Sequence, residues 1–112
     1  MIIHIIRAKA TKEQLAEMLE ELQSYVKLAV DVERGVLAGG GEWHADCEEI
    51  LLEDGSLQEN VWGADWIPDK QAVRFESLIN IRPRQNNLSL ELKDPLLRQR
   101  VEQIARDLLG EI

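Results

Sequence analysis

The sequence predicts an α+β fold: a two-layer sandwich with a mainly antiparallel sheet of five or six strands and two helices, in the order β-α-β-β-β-β-β-α. Three observations carry this. Apolar residues recur at helical spacing near both ends of the chain, from Leu15 and again from Leu97. Between them, residues 26–33, 73–82 and 88–93 alternate apolar and polar side chains with the period of a half-buried strand. Asp54-Gly55 lies between two apolar runs, the pair favoured in a two-residue hairpin whose central residues both take positive φ.

Each element has a local cause. Ile2-Ile3-His4-Ile5-Ile6 is a dense β-branched run and reads as a buried central strand, with His4 on the opposite face from Ile3 and Ile5. Thr11-x-x-Gln14 has the form of a capping box, and Leu15, Met18, Leu19, Leu22 and Val26 continue it as an apolar stripe. Val26, Leu28, Val30 and Val32 then alternate with Lys27, Ala29, Asp31 and Glu33. Val36-Leu37-Ala38 runs into Gly39-Gly40-Gly41, read as a turn or a close backbone approach. No Lys-Ser/Thr pair follows the glycines, so a phosphate-binding loop is excluded.

Taken literally, the Asp54-Gly55 turn pairs Trp43 with Trp66, Ala45 with Ala64 and Cys47 with Trp62, and sets His44 opposite Asp65. The apolar face changes side near Glu48-Glu49, which calls for a bulge or a strand break there. Val73, Phe75, Ile79 and Ile81 mark a further strand, and Pro83-Arg84-Gln85-Asn86-Asn87 supplies turn chemistry. Leu88, Leu90 and Leu92 form a last strand that pairs back antiparallel. Asp94-Pro95 opens the final helix as N-cap and first helical residue, with Leu97, Val101, Ile104 and Leu108 as its stripe.

The 112 residues fit one domain, 1–112, which buries roughly 65% of its unfolded surface. One cysteine excludes an internal disulfide and the common zinc spacings, and fits a reducing, cytoplasmic setting. No run is long enough to span a membrane. The net charge of −8 argues against nucleic acid or an anionic membrane as a partner. Ten acids and a single base, Arg34, lie within residues 31–65, so the acidity is concentrated in the middle of the chain.

Several stretches resemble a family of uncharacterised small bacterial proteins, a domain of unknown function frequent in cyanobacteria. They are Ala29-Val30-Asp31-Val32-Glu33-Arg34-Gly35, Gly40-Gly41-Glu42-Trp43-His44-Ala45-Asp46-Cys47-Glu48, Leu52-Glu53-Asp54-Gly55-Ser56 and Leu78-Ile79-Asn80-Ile81-Arg82-Pro83-Arg84-Gln85-Asn86-Asn87. The resemblance covers most of the chain and implies a bacterial, cytoplasmic protein. It carries over no activity and no catalytic residues. Where the family has a glycine in the last loop, this chain has Asn86-Asn87, and asparagine tolerates the left-handed conformation.

Two groups of residues are candidates for function. In the bulge-free hairpin, Glu42, His44, Asp46 and Asp65 gather as carboxylates around one imidazole, a set suited to a divalent metal such as Mg²⁺, Mn²⁺ or Zn²⁺ and to a small metal-dependent hydrolase. Trp43, Trp62 and Trp66, with Arg82 and Arg84, form the alternative: a ligand- or partner-binding surface. In that case the arginines meet the acidic region, in this subunit or a second copy, or clamp an anion. Cys47 reads as a small buried hydrophobe beside Trp62. The balance favours a non-enzymatic binding or regulatory module that self-associates as a homodimer and takes a protein partner.

Overall fold

Residues 2–112 are described by a computed structural model. Alternation along Val26–Asp31 builds the central strand, β2, of a five-stranded antiparallel sheet. The strands, in chain order, are β1 (Ile3–Ile6), β2, β3 (Val36–Gly40), β4 (Val61–Ile67) and β5 (Ala72–Arg74). Their order across the sheet is β1-β3-β2-β4-β5. The helices are α1 (Lys12–Met18), α2 (His44–Glu53) and α3 (Pro95–Leu109).

The α+β class and the antiparallel sheet stand, but the described residues form three α-helices, not two, in the order β-α-β-β-α-β-β-α. The stretch expected as the first arm of a hairpin is α2. Trp43, Cys47, Ile50 and Leu51 recur at helical spacing, and the change of face near Glu48-Glu49 is that helical period seen through a strand template. Asp54 is the C-cap of α2, and Gly55 follows at φ +106°, so the positive-φ glycine ends a helix instead of turning a hairpin. In place of the hairpin register, Trp66 pairs with Val26 and Trp62 with Val30.

The added helix makes the sandwich three layers deep. On one face of the sheet, α1 and α3 pack Met18, Val101, Ile104 and Leu109 against Leu28, Val30, Leu37, Trp62 and Trp66. On the other, α2 packs Cys47 and Leu51 against Ala29, Val36, Ala38 and Val61. Cys47 is therefore buried, but across the sheet from Trp62. Its thiol donates to the Gly40 carbonyl at 3.3 Å, and burial is the main cause that pushes its pKa up to about 12, so it is an inert core residue.

Other boundaries shift for local reasons. The capping box at Thr11 forms as expected, with Thr11 Oγ1 accepting from Gln14 N–H at 3.0 Å. α1 nevertheless stops at Met18, and Val26 belongs to β2. The strand expected over 73–82 shortens to β5, with 3₁₀ turns at Leu78–Asn80 and Pro83–Gln85. Residues 88–92 keep only a remnant of ladder, Glu76 opposite Glu91, with Leu92 N–H on the Phe75 carbonyl at 2.9 Å. Asn86 holds φ +61°, the left-handed conformation that asparagine tolerates. Asp94 and Pro95 open α3 as N-cap and first residue.

β5 covers β4 only from Asp65 to Ile67. Side chains close the remaining edge. Asn80 Oδ1 accepts from Gly63 N–H at 2.8 Å and its Nδ2 donates to the Gly63 carbonyl at 3.0 Å, so one amide side chain takes the place of a strand. Gly63 is required for that approach, because a Cβ there would lie 2.5 Å from Ser77 Cβ.

The C-terminal end of α2 is tied down by charge. Asp54 accepts from Arg7 and from Arg34, both at 2.6 Å, and Arg34 also donates to Ser56 Oγ. The hydrogen bonds from Arg7 and Arg34 lower the Asp54 carboxyl from its ordinary 3.8 to about 2. A depressed carboxyl contributes stability that is full above its unfolded pKa and is lost as pH falls toward its folded one. Asp54→Asn should therefore lower stability at pH 6 and flatten the further loss between pH 4 and pH 2. Urea unfolding of both proteins at these pH values checks this, and parallel pH profiles would show that the pair adds nothing.

Candidate functional site

The strand alternation that sends Val26 and Leu28 to one core sends Tyr25 and Lys27 to the other face of the sheet. Asp65 projects on that face from β4. The N-terminus of α2 and the segment from Glu76 to Leu90 stand on either side, leaving an open cleft of about 320 Å³ between them. Trp43, Leu78 and Leu90 line it, with Lys27, His44, Asp65, Glu76 and Ser77 among its polar groups.

His44 and Asp65 belong to one network. His44, the first residue of α2, places Nε2 2.8 Å from Asp65 Oδ1 and 3.0 Å from the Ala64 carbonyl. Both neighbours are acceptors, so Nε2 carries the proton and donates, which leaves Nδ1 as the acceptor of the neutral ring. Asp65 Oδ2 accepts from Arg74 Nε at 3.1 Å, and the Arg74 guanidinium stacks on Tyr25, 4.6 Å from its ring centroid. Lys27 Nζ lies 5.6 Å from the Trp43 ring centroid. An imidazole held this way by a carboxylate is the orienting half of a nucleophile-activating arrangement. Among the described residues, however, His44 makes no hydrogen bond to a hydroxyl or thiol.

The four expected metal ligands are not gathered. His44 and Asp65 meet, as the literal hairpin also placed them, but through a helix packed on the sheet. Residues 44 and 46 share a face in a strand and point about 200° apart on a helix, so α2 turns Asp46 away from His44. Glu42 is exposed ahead of the helix. Among the described residues no three His, Cys, Asp or Glu side chains are placed to hold a metal ion.

The tryptophans divide. Trp62 and Trp66 are buried in the core beneath α3, whereas Trp43 is 60% exposed at the cleft. Arg82 is turned inward. Its Nε donates to the Ile79 carbonyl, Nη1 to the Gln58 carbonyl and Gln85 Oε1, and Nη2 to Glu48 Oε2 and the Val61 carbonyl. All five guanidinium N–H groups are used within the chain, and the group stacks 4.5 Å from the Trp62 ring centroid. The expected meeting of this loop with the acidic region is thus made inside one subunit, at Glu48. Burial pushes the Glu48 carboxyl up against the pull of Arg82, and burial pulls the Arg82 guanidinium down against the pull of Glu48. Arg84, on the same turn, is exposed.

Tyr25, Lys27, Arg74, Leu78 and Leu90 are site residues that the sequence did not single out. The period-two row Tyr25, Lys27, Ala29 marks the first two as neighbours on one face. Nothing in the sequence brings Leu78 and Leu90 to it, because that placement depends on the Asn80 closure of β4.

Two further observations bound the function. Among the described residues no helix is long and apolar enough to cross a membrane. A family model described as "Protein of unknown function (DUF5674)" matches residues 4–108. No curated protein and no solved structure matches the chain.

Proposed function

Because the chain belongs to a protein family of unknown function, DUF5674, we propose from its geometry that it is a non-enzymatic binding module. In this proposal it works in the cytoplasm as a homo-oligomer and docks an apolar segment of a protein partner in the cleft between α2 and residues 76–90. The observation that carries this is the exposure of large apolar side chains around one opening. Trp43 is 60% exposed, Leu78 72% and Leu90 43%, and all three line the cleft. Leu88 and Ile81, on the same segment, are exposed as well. Apolar side chains clustered this way mark interaction surfaces, and tryptophan is among the residues enriched at binding hot spots. Lys27, His44 and Asp65, with Glu76 and Ser77, supply the polar groups that orient a ligand in a mainly apolar site.

A peptide-display selection on the immobilised protein tests it. Enriched peptides should carry aromatic or branched apolar residues. Their binding should fall at least tenfold in Trp43→Ala and in Leu78→Asp, with folding unchanged in both. Failure to enrich any peptide, or equal binding to wild type and both variants, would contradict the proposal.

A further inference from the structure

The run Ile2-Ile3-His4-Ile5-Ile6 reads as a central strand, yet β1 lies at the edge of the sheet. Apart from its ladder to β3, the backbone of Ile3–Ile6 makes no hydrogen bond among the described residues, so one side of the strand presents free N–H and C=O groups. Folded chains normally block such an edge with charge, proline or a covering segment. The opposite edge is blocked in this way: β5 is three residues long and ends in Arg74, and the rest of β4 is closed by Asn80 and Arg82. β1 carries no lysine, arginine, carboxylate or proline. Ile6 is buried in the core under α1 and α3, whereas Ile3 and Ile5 are only partly buried and sit at the margin of the core under α2.

We propose that the outer edge of β1 pairs antiparallel with β1 of a second copy of this chain, about a two-fold axis at His4, joining two sheets into one. This deepens the self-association in the proposed function and does not depend on the cleft. The sequence selects the occupant. Ile-Ile-His-Ile-Ile reads the same in both directions, so the two-fold sets Ile3 opposite Ile5 of the partner subunit and Ile2 opposite Ile6 of the partner subunit. Every cross-strand pair off the axis then joins two β-branched apolar residues, a type that suits a pleated surface. Each His4 keeps its own partner, Glu17 Oε1 at 2.9 Å, on the face toward α1. A two-fold contact is self-complementary and closed, which stops the edge from propagating into a fibre.

Two variants of the full chain test this. His4→Lys keeps a nitrogen donor within reach of Glu17 but sets two like charges opposite each other across the axis. His4→Cys sets two thiols opposite each other at a cross-strand distance of about 4.5–5.5 Å between Cβ atoms, near the span a disulfide bridges, while Cys47 is buried and inert. Sedimentation equilibrium of the wild type should give twice the 12.8 kDa chain mass. His4→Lys should weaken the dimer at least tenfold with an unchanged circular dichroism spectrum, and oxidation should cross-link His4→Cys but not Ser24→Cys. A wild type that stays monomeric, or His4→Cys cross-linking no more than Ser24→Cys, would overturn the proposal. A dimer lost in Leu78→Asp but kept in His4→Lys would also overturn it and move the contact to the cleft. Loss of peptide binding with the dimer intact bears on the cleft alone.

Discussion

Arg82→Ala should destabilise the fold by about 3–5 kcal/mol, the range for removing one partner of a buried ion pair. Arg82 and Glu48 have side-chain exposures of only 9% and 14%. Truncating the arginine strands the Glu48 carboxylate and leaves the Val61, Gln58 and Ile79 carbonyls without their donor. Burial is the main cause of both pKa shifts, up for Glu48 and down for Arg82, so a group left without its partner bears a desolvation penalty that nothing offsets. The double variant Arg82→Ala/Glu48→Ala should therefore be more stable than the sum of the singles implies, by roughly 0.5–3 kcal/mol. Arg82→Lys should recover little, since an ammonium cannot serve five acceptors in a planar fork. Urea unfolding measures all three. A loss under 1 kcal/mol in Arg82→Ala would show that the guanidinium is free in solution and available to a ligand.

Trp66→Ala should cost about 3–5 kcal/mol, as large-to-small changes at buried aromatics do, whereas Trp43→Ala should stay within about 0.5 kcal/mol of wild type. Trp66 is fully buried in the core that β4 shares with α3, and Trp43 is the N-cap of α2, 60% exposed at the cleft. Among the described residues the Trp66 indole N–H has no hydrogen-bond partner, so Trp66→Phe loses volume but no bond and should fall between these values. Domains of this kind have about 5–15 kcal/mol of stability in all, so the contrast is large in the same urea experiment. Equal losses at Trp43 and Trp66 would contradict the division into one surface tryptophan and a buried pair.

What could be read in advance, and what could not, follows from the range of the forces involved. The caps at Thr11 and Asp94 are legible because they are made by residues within three positions of each other. The β2 alternation is legible because burial imposes it directly. Asp54-Gly55 misleads because a positive-φ glycine after aspartate serves a hairpin and a helix end equally well, and only the period of Trp43, Cys47, Ile50 and Leu51 separates the two. Once α2 is a helix, the carboxylates expected beside His44 rotate away. Asp65 stays beside it because the sheet, not the local register, brings it there. Arg82 reads as an exposed loop arginine in sequence. Its burial depends on carbonyls from Gln58, Val61 and Ile79, contacts that no local pattern encodes. The cleft shares that origin, since Asn80 ties its far wall to β4 through Gly63 and to Leu90 through that residue's carbonyl.

The most direct test of the binding module is a titration of isotope-labelled protein with a selected peptide, followed by amide and indole chemical shifts. Perturbations should map to Tyr25, Lys27, the start of α2 at Trp43 and His44, and Leu78 and Leu90, with the Trp43 indole N–H among the largest. Shifts centred on the Pro83–Gln85 turn or on α3, with the Trp43 indole unmoved, would contradict the assignment of the site.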